Sequence, residues 1–313
     1  MRQKMKVALL SGGSSAEREV SLKSGGQVYA ALNKDKYDVQ RYDPRDDLPR
    51  LAQDASSIDV ALIILHGRLG EDGTVQGFLE CLGIPYQGSG VLGSAVAMNK
   101  ILSKRLYEEA GLPVAPYLVV DRAQPEAVEN LVDTLGLPIV VKPEHEGSSI
   151  GLSVVRDERH LSKALETAWQ YDSRCLLEKF IPGTEITAGV LGNDSLQSLP
   201  LIEIVPGEDY DFFDYNAKYL PGATKEICPA RISQQLTEKA QEYARRAHQA
   251  LYCQGYSRTD MIVGTDEIYV LETNTIPGMT QTSLFPQAAS AAGISFPDLL
   301  DRLIELALEK EVK

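Results

Sequence analysis

Tyr256-Ser257-Arg258-Thr259-Asp260-Met261-Ile262-Val263, a break at Gly264-Thr265-Asp266, then Ile268-Tyr269-Val270-Leu271-Glu272-Thr273-Asn274 is the stretch on which the reading of this chain turns. Both runs are β-branched, aromatic and apolar, so they read as two strands of a hairpin. Side chains alternate along a strand. Arg258 and Asp260 therefore share one face, and Glu272 and Asn274 share one face. The turn decides whether those faces coincide. A two-residue loop at Thr265-Asp266 puts Asp260 opposite Leu271 and splits the acids between faces. A three-residue loop, Thr265 to Glu267, puts Asp260 opposite Glu272 and Arg258 opposite Asn274. Two carboxylates, an amide oxygen and a guanidinium on one sheet face suit Mg²⁺ bound together with substrate phosphates. The same residues also describe a solvated strand face with a surface ion pair. The hairpin alone does not choose between the two.

Bulk properties narrow the class. With 313 residues there is room for two or three domains. A content of 43% hydrophobic and 24% charged residues is that of a globular protein. The formal net charge of -13 argues against a nucleic-acid partner, because phosphate backbones require a basic surface. Cys81, Cys175, Cys228 and Cys253 have no CxxC spacing, which predicts reduced thiols in a cytosolic protein, not a disulfide frame or zinc site. Val7-Ala8-Leu9-Leu10 is too short for a signal-peptide apolar region, and no apolar run approaches a membrane span.

Upstream of the hairpin the chain alternates strand and helix. Lys6 to Leu10 is a short strand running into Ser11-Gly12-Gly13, with a helix expected from about Ala16 to Leu32. Tyr37 to Tyr42 is a second strand, and Asp59 to Leu65 reads as a parallel strand buried on both faces, ending at His66-Gly67. A helix from Gly73 to Leu82 leads to the Gly-rich stretch around Ser89. This pattern predicts an open parallel α/β domain whose ligands sit at the carboxyl ends of its strands. Beyond it come a helix through Lys100 to Ala110, strands at Tyr117 to Val120, Ile139 to Pro143, Leu152 to Val155 and Cys175 to Ile181, and helices near Glu126 to Leu135 and Glu158 to Tyr171. Pro206 to Ile227 is long, aromatic and charged without a clear period, as in a functional lid. A helix capped by Ser233 and a last helix, about Phe296 to Lys310, flank the hairpin.

Several segments carry chemistry. Gly147-Ser148-Ser149-Ile150-Gly151 joins two strands, with Lys142 on the first. Its glycines let backbone approach a phosphate, its serines and N–H groups donate to it, and Lys142 adds a point charge. An ordinary hairpin with a surface lysine has the same composition. In Glu178-Lys179-Phe180-Ile181, followed by Glu185, a strand ends beside an aromatic ring suited to a flat base. Glu17, near a helix N-terminus, is either a first-turn acid favoured by the dipole or a counter-charge for a substrate ammonium. His66 is either a satisfied buried histidine or a donor into the site. Lys218 and Tyr219 lie in the long loop, within reach of a phosphate and a substrate. Together these meet the needs of carboxylate activation by phosphoryl transfer: acids for Mg²⁺, lysines for phosphates, an arginine for oxyanion charge, and a lid.

Gly12 to Ser21, His66 to Gly73, Val141-Lys142-Pro143 with Glu146 to Gly151, and Arg258 to Met279 with Ser283-Leu284 closely resemble the D-alanine–D-alanine ligase family of the ATP-grasp superfamily. The resemblance implies an N-terminal α/β substrate-binding domain over residues 1–88, a central ATP-grasp domain over 89–183, and a C-terminal ATP-grasp domain over 184–313 carrying the metal site and lid. It also implies a cytoplasmic homodimer serving peptidoglycan synthesis, with ATP and D-alanine as substrates and no nucleic-acid or membrane partner.

Carried over to this chain, the family pattern places Lys100, Lys142 and Lys218 at the ATP phosphates, with Gly147, Ser148 and Ser149 as the phosphate loop. Glu178, Lys179 and Ile181 read adenine, Phe180 packs on it, Glu185 holds the ribose, and Phe212 completes the ATP set. Asp260, Glu272 and Asn274 bind two Mg²⁺, for which Mn²⁺ substitutes. Glu17 binds the ammonium of the first D-alanine, and Ser283 and Leu284 meet the carboxylate of the second. Arg258 and the Gly278 N–H stabilise the tetrahedral oxyanion, and His66 lies near the substrate. Glu17, Ser148 and Tyr219 form a hydrogen-bonded set that ties the loop shut. Arg68 stands where the family has a smaller residue, and Asn216 where it often has an acid.

Other functions fit less well. A ligase using D-lactate as second substrate is expected to lack Tyr219, and a different ATP-grasp carboxylate–amine ligase would not need Glu17 with the His66-Gly67 segment. A silent ATP-binding scaffold would not need Arg258, Glu272 and Asn274 together. A nicotinamide enzyme would need the GxGxxG fingerprint, which the segment after the first strand lacks.

Overall fold

The structure, a computed structural model, describes residues 4–124, 131–207 and 224–309. Three sheets organise it. The first comes from β1 (Met5–Ser11), α1 (Arg18–Ala31), β2 (Tyr37–Tyr42), α2 (Leu48–Asp54), β3 (Val60–Ile64) and α3 (Thr74–Cys81). Its strands are parallel in the order β2-β1-β3. Every residue of β3 is buried, as its unbroken apolar run requires for a strand covered on both faces. Gln87 extends the sheet beyond β3. Its side-chain amide donates to the Ile63 carbonyl and accepts from the Ile63 N–H, both at 2.8 Å, so it acts as one more peptide unit.

The second sheet follows α4 (Val91–Met98) and α5 (Lys100–Glu109). Asn99 separates those helices and caps α5 by accepting from the Leu102 N–H at 2.9 Å. Then come β4 (Tyr117–Asp121), α6 (Leu131–Leu135), β5 (Ile139–Pro143), β6 (Ser153–Val155), α7 (Leu161–Ala168) and β7 (Arg174–Lys179). The antiparallel order is β4-β7-β5-β6. Period-two alternation divides its faces. Val120, Ile139, Val141, Cys175 and Leu177 bury against α7, while Val140, Lys142, Val154 and Glu178 face a cleft.

The third sheet contains β8 (Thr184–Gly192), β9 (Gln197–Ser198), β10 (Ile202–Pro206), β11 (Thr224–Ile227), β12 (Gly255–Val263) and β13 (Ile268–Asn274). Its order is β11-β10-β8-β12-β13, with β9 on β8. Three helices pack on it: α8 (Gln234–Ala250), α9 (Leu284–Ala291) and α10 (Phe296–Glu309). Ser233 caps α8, accepting from the Leu236 N–H. Tyr243, Ala244 and Ala247 of α8 cover one face of the sheet with Ile186, Val190, Met261 and Val270. On the other face Leu191, Ile202 and Tyr256 meet Phe285 of α9 and Leu299, Leu303 and Ile304 of α10. The same cluster continues into Val7, Leu9 and Leu62 of the first sheet, so α10 is wedged between the two.

The hairpin has the pairing of the three-residue loop without that loop. Arg258 lies opposite Asn274, Thr259 opposite Thr273 and Asp260 opposite Glu272. The turn is nevertheless the short one: Gly264 N–H donates to the Glu267 carbonyl at 2.9 Å, around Thr265-Asp266. From Val263↔Ile268 to Met261↔Val270 the ladder runs in the register that would pair Asp260 with Leu271. A β-bulge between Asp260 and Met261 absorbs Leu271 as an extra residue and brings Glu272 beside Asp260. Burial records the slip, because Ile268 and Val270 are buried and the next buried residue is Thr273.

Candidate active site

Asp260 is the most connected residue of the hairpin face. Arg258 grips it with two nitrogens, Nε to Oδ1 at 2.8 Å and Nη2 to Oδ2 at 2.7 Å. Thr187, opposite Asp260 on β8, donates to Oδ1 at 2.6 Å, and Asn274 Nδ2 donates to Oδ2 at 3.2 Å. The carboxylate is thus oriented from three strands. On the reverse of the hairpin, the Thr259 and Thr273 hydroxyls lie 3.0 Å apart, and the Tyr107 hydroxyl donates to Thr273 at 2.8 Å. That buried chain ties α5 to the hairpin.

Helix α5 delivers two lysines to the site. Lys100 and Lys104 are one turn apart and so share a face. Lys100 Nζ donates to the Glu146 carbonyl of the Gly-Ser loop. Lys104 pairs with Glu178 through one carboxylate oxygen and Lys142 through the other. Burial works against the charged form of Glu178, but the two lysines outweigh it and hold its carboxyl down at about 2. Burial also lowers the pKa of Lys100.

A cleft opens between the second and third sheets. One wall has Val140, Lys142, Val154 and Glu178, and the other has Asp260, Ile262, Leu271 and Glu272. Lys100, Gly147, Ser149, Lys179, Phe180, Ile181 and Glu185 also line it. Apolar walls and a charged end suit a ligand that is flat at one end and anionic at the other. The N–H groups of Lys179 and Phe180 donate to Pro116 and Pro138 carbonyls, at 2.9 and 3.0 Å, and fix this strand end in place.

The loop from Glu146 to Gly151 joins the cleft to the first sheet. Ser148 and Ser149 both have positive φ, 48° and 59°, a conformation costly for a residue with a Cβ. Ser149 lines the cleft, while the Ser148 hydroxyl donates to Glu17 at the start of α1. Glu17 is buried, and a Cβ on Gly67 would come within 2.8 Å of its Oε2. His66 follows β3, with Nδ1 3.9 Å from Glu71. Burial opposes the charged imidazole, but Glu71, Glu17 and the Ile276 carbonyl prevail and raise its pKa. Ser283 begins α9, where its hydroxyl accepts from the Thr280 N–H at 3.1 Å, and Gly278 lies close by. A Cβ at Gly278 would sit 3.0 Å from the Ser283 hydroxyl. Leu284 is the first residue of α9 and is buried.

The structure thus gathers Lys100, Lys142, Glu178, Asp260 and Glu272 at one cleft and links Glu17 to Ser148. Phe212, Lys218 and Tyr219 lie outside the described residues. Sequence reasoning overlooked Lys104, whose signal was its four-residue spacing from Lys100, and Glu71, whose signal was its position five residues after His66. Thr187 had no signal, because only sheet pairing brings it to Asp260. Two carboxylates and an amide oxygen fit a hard divalent cation, with phosphate oxygens completing the shell. Among the described residues no group of three or more His, Cys, Asp or Glu side chains is arranged to hold a metal by itself.

Known proteins resemble this chain over nearly its whole length. The family model described as D-ala D-ala ligase N-terminus matches residues 6–47 and 43–89, and that described as D-ala D-ala ligase C-terminus matches 106–305. A D-alanine–D-alanine ligase of Syntrophobacter fumaroxidans is 73% identical over 98% of this chain and 99% of its own length. One from Desulfotalea psychrophila is 56% identical over 98% and 96%. The crystal structure of the Bacillus anthracis D-alanine–D-alanine ligase complexed with ATP superposes with a TM-score of 0.87 at 37% identity, covering 99% of this chain and 100% of that one. The VanG D-Ala:D-Ser ligase of Enterococcus faecalis gives 0.85 at 32% identity, covering 97% and 100%. The chain belongs to the D-alanine–D-alanine ligase family.

Proposed function

We infer that this protein joins two D-alanine molecules to D-alanyl-D-alanine, converting ATP to ADP and phosphate, for peptidoglycan synthesis. The observation that carries the reading is the shared cleft: Lys100, Lys142 and the Gly-Ser loop stand opposite Asp260 and Glu272, and that loop is tied to Glu17 through Ser148. The family supports the rest.

In the proposed reaction, the carboxylate of the first D-alanine attacks the γ-phosphorus and ADP leaves, giving an acyl phosphate. The amine of the second D-alanine attacks that carbonyl, loses a proton, and phosphate departs. Glu17 holds the first ammonium in its buried place beside Ser148. Lys100, Lys142 and Lys218 take the phosphates, with the Gly147, Ser148 and Ser149 loop over them. Phe180 stacks on adenine, Glu178, Lys179 and Ile181 read it, and Glu185 takes the ribose. Phe212 joins the ATP-binding set and Tyr219 the catalytic set with Glu17 and Ser148, both from outside the described residues. The N-terminal end of α9, at Ser283 and Leu284, receives the carboxylate of the second D-alanine. Arg258 and the Gly278 N–H face the oxyanion as it forms. Asp260, Glu272 and Asn274 would hold Mg²⁺, which neutralises phosphate charge when bound with ATP.

The proposed domains are residues 1–88, 89–183 and 184–313, and the proposed state is a cytoplasmic homodimer. Among the described residues no helix is long and apolar enough to cross a membrane. Phosphate release with Mg²⁺-ATP tests the activity. D-alanine should support turnover, while L-alanine, D-lactate, D-serine without D-alanine, and a blank should not. Release that is independent of D-alanine would refute the assignment.

A further inference from the structure

The reaction above uses Lys142 and sets Glu178 in the cleft wall, yet a second lysine is buried against the same carboxylate. Lys104 and Glu178 are 1% and 2% exposed. Lys104 meets Glu178 Oε1 and Lys142 meets Oε2, so the lysines do not compete for one oxygen. Glu178 pairs across β4 with Tyr117, and Lys104 Nζ lies 5.6 Å from the centre of the Tyr117 ring. Lys104 is thereby held between a carboxylate and an aromatic face. It comes from α5, which Tyr107 anchors to the hairpin. Lys142 and Glu178 line the cleft, whereas Lys104 is sealed from solvent.

A buried carboxylate needs a counter-charge at every stage. When Lys142 turns to a polyphosphate, Glu178 loses one of its two partners. With no other cation, Glu178 would either take up a proton or hold Lys142 back from the nucleotide. We propose that Lys104 is a positioning residue, the permanent counter-ion of Glu178, which keeps that carboxylate charged and in place while Lys142 exchanges between Glu178 and the nucleotide phosphates. The proposal rests on Lys142 being a phosphate ligand.

Calorimetric titration of the full chain with ATP, ADP and adenosine, in Mg²⁺, tests it. In Lys104→Met, ATP and ADP affinity should fall by about tenfold or more and adenosine affinity by less than about twofold, because adenosine does not draw Lys142 away. The variant's ATP complex should take up a proton at Glu178, so its affinity should weaken with rising pH more steeply than that of the wild type. Lys104→Arg should restore the wild-type profile. In a Glu178→Gln background, adding Lys104→Met should change ATP affinity little, since Lys104 acts only through Glu178. That double variant leaves no unpaired buried carboxylate, so it serves even where Lys104→Met alone does not fold. Equal losses for ATP and adenosine, a pH profile parallel to wild type, or additive effects with Glu178→Gln would overturn the role of Lys104. Lys142→Met separates the underlying reading: unchanged ATP affinity there removes Lys142 from the phosphates and takes the proposal with it.

Discussion

At the scale of single residues the site is governed by where charge is paired. Arg258 and Asp260 are side by side on β12 and largely buried, so each supplies the other's counter-charge. Arg258→Ala would therefore mix two effects. It removes the proposed oxyanion donor, and it leaves Asp260 without its counter-charge, which in a buried pair costs about 3–5 kcal/mol of stability. Arg258→Lys separates them, because lysine keeps the charge but not the two-pronged geometry. We expect kcat to fall by roughly 10²–10³ with a much smaller loss of stability in urea unfolding than for Arg258→Ala. Full activity in Arg258→Lys would remove the oxyanion role. Arg258, Asp260, Glu272 and Asn274 were legible because they share a strand face and a residue chemistry. Thr187 was not, because a threonine in a β-rich run is commonplace and only the pairing of β8 with β12 makes it a partner of Asp260.

At the scale of elements, two local irregularities build the site. One is the bulge at Leu271, which brings Glu272 opposite Asp260 where the two-residue turn would otherwise set Leu271. The other is the Gly-Ser loop, whose two positive-φ serines point one hydroxyl at Glu17 and leave the other residue in the cleft. Gly151 makes the loop possible. Its φ is +71°, and a Cβ there would approach Pro143 and Tyr171 to 2.7 Å. Gly151→Ala is expected to strain the loop by about 1–3 kcal/mol and displace it. Steady-state kinetics should show KM rising for both ATP and D-alanine, because in the proposed function one loop serves both sites. An unchanged KM for either substrate would refute that coupling. Most strands were legible from their apolar and β-branched runs, and α8 from its Ser233 cap, but β11 was not: Thr224–Ile227 falls in the stretch read as a loop, and only pairing with β10 makes it a strand. The short helices α2, α4 and α9 were not, because seven or eight residues containing proline, glycine or serine carry too little period to read.

At the scale of the whole molecule, the first and third sheets share one core through α10. Leu299, Leu303 and Ile304 touch apolar residues from both ends of the chain, and Lys36 pairs with Asp301 on the surface above. Leu303→Ala should cost about 2–5 kcal/mol. Because the core is shared, calorimetry should show the first and third sheets melting in one transition, in wild type and variant alike. A separate earlier transition of the first sheet would contradict a common core. The arrangement also suits the proposed function, in which Glu17 and His66 on the first sheet work against Ser283 and Arg258 on the third.

The amino-acid sequence alone determined the parallel α/β character of the first sheet, the hairpin, and the family. These rest on local periodicity and on motifs whose residues are near neighbours in the chain. Tertiary structure alone decided the bulge, the Thr187 contact, the pairing of Lys104 with Glu178 and the wedging of α10. The last three depend on strands or helices far apart in sequence, and the bulge, though within one hairpin, breaks the alternation from which strand faces are read. A burial pattern shows that a residue needs a partner, but not which distant element supplies it.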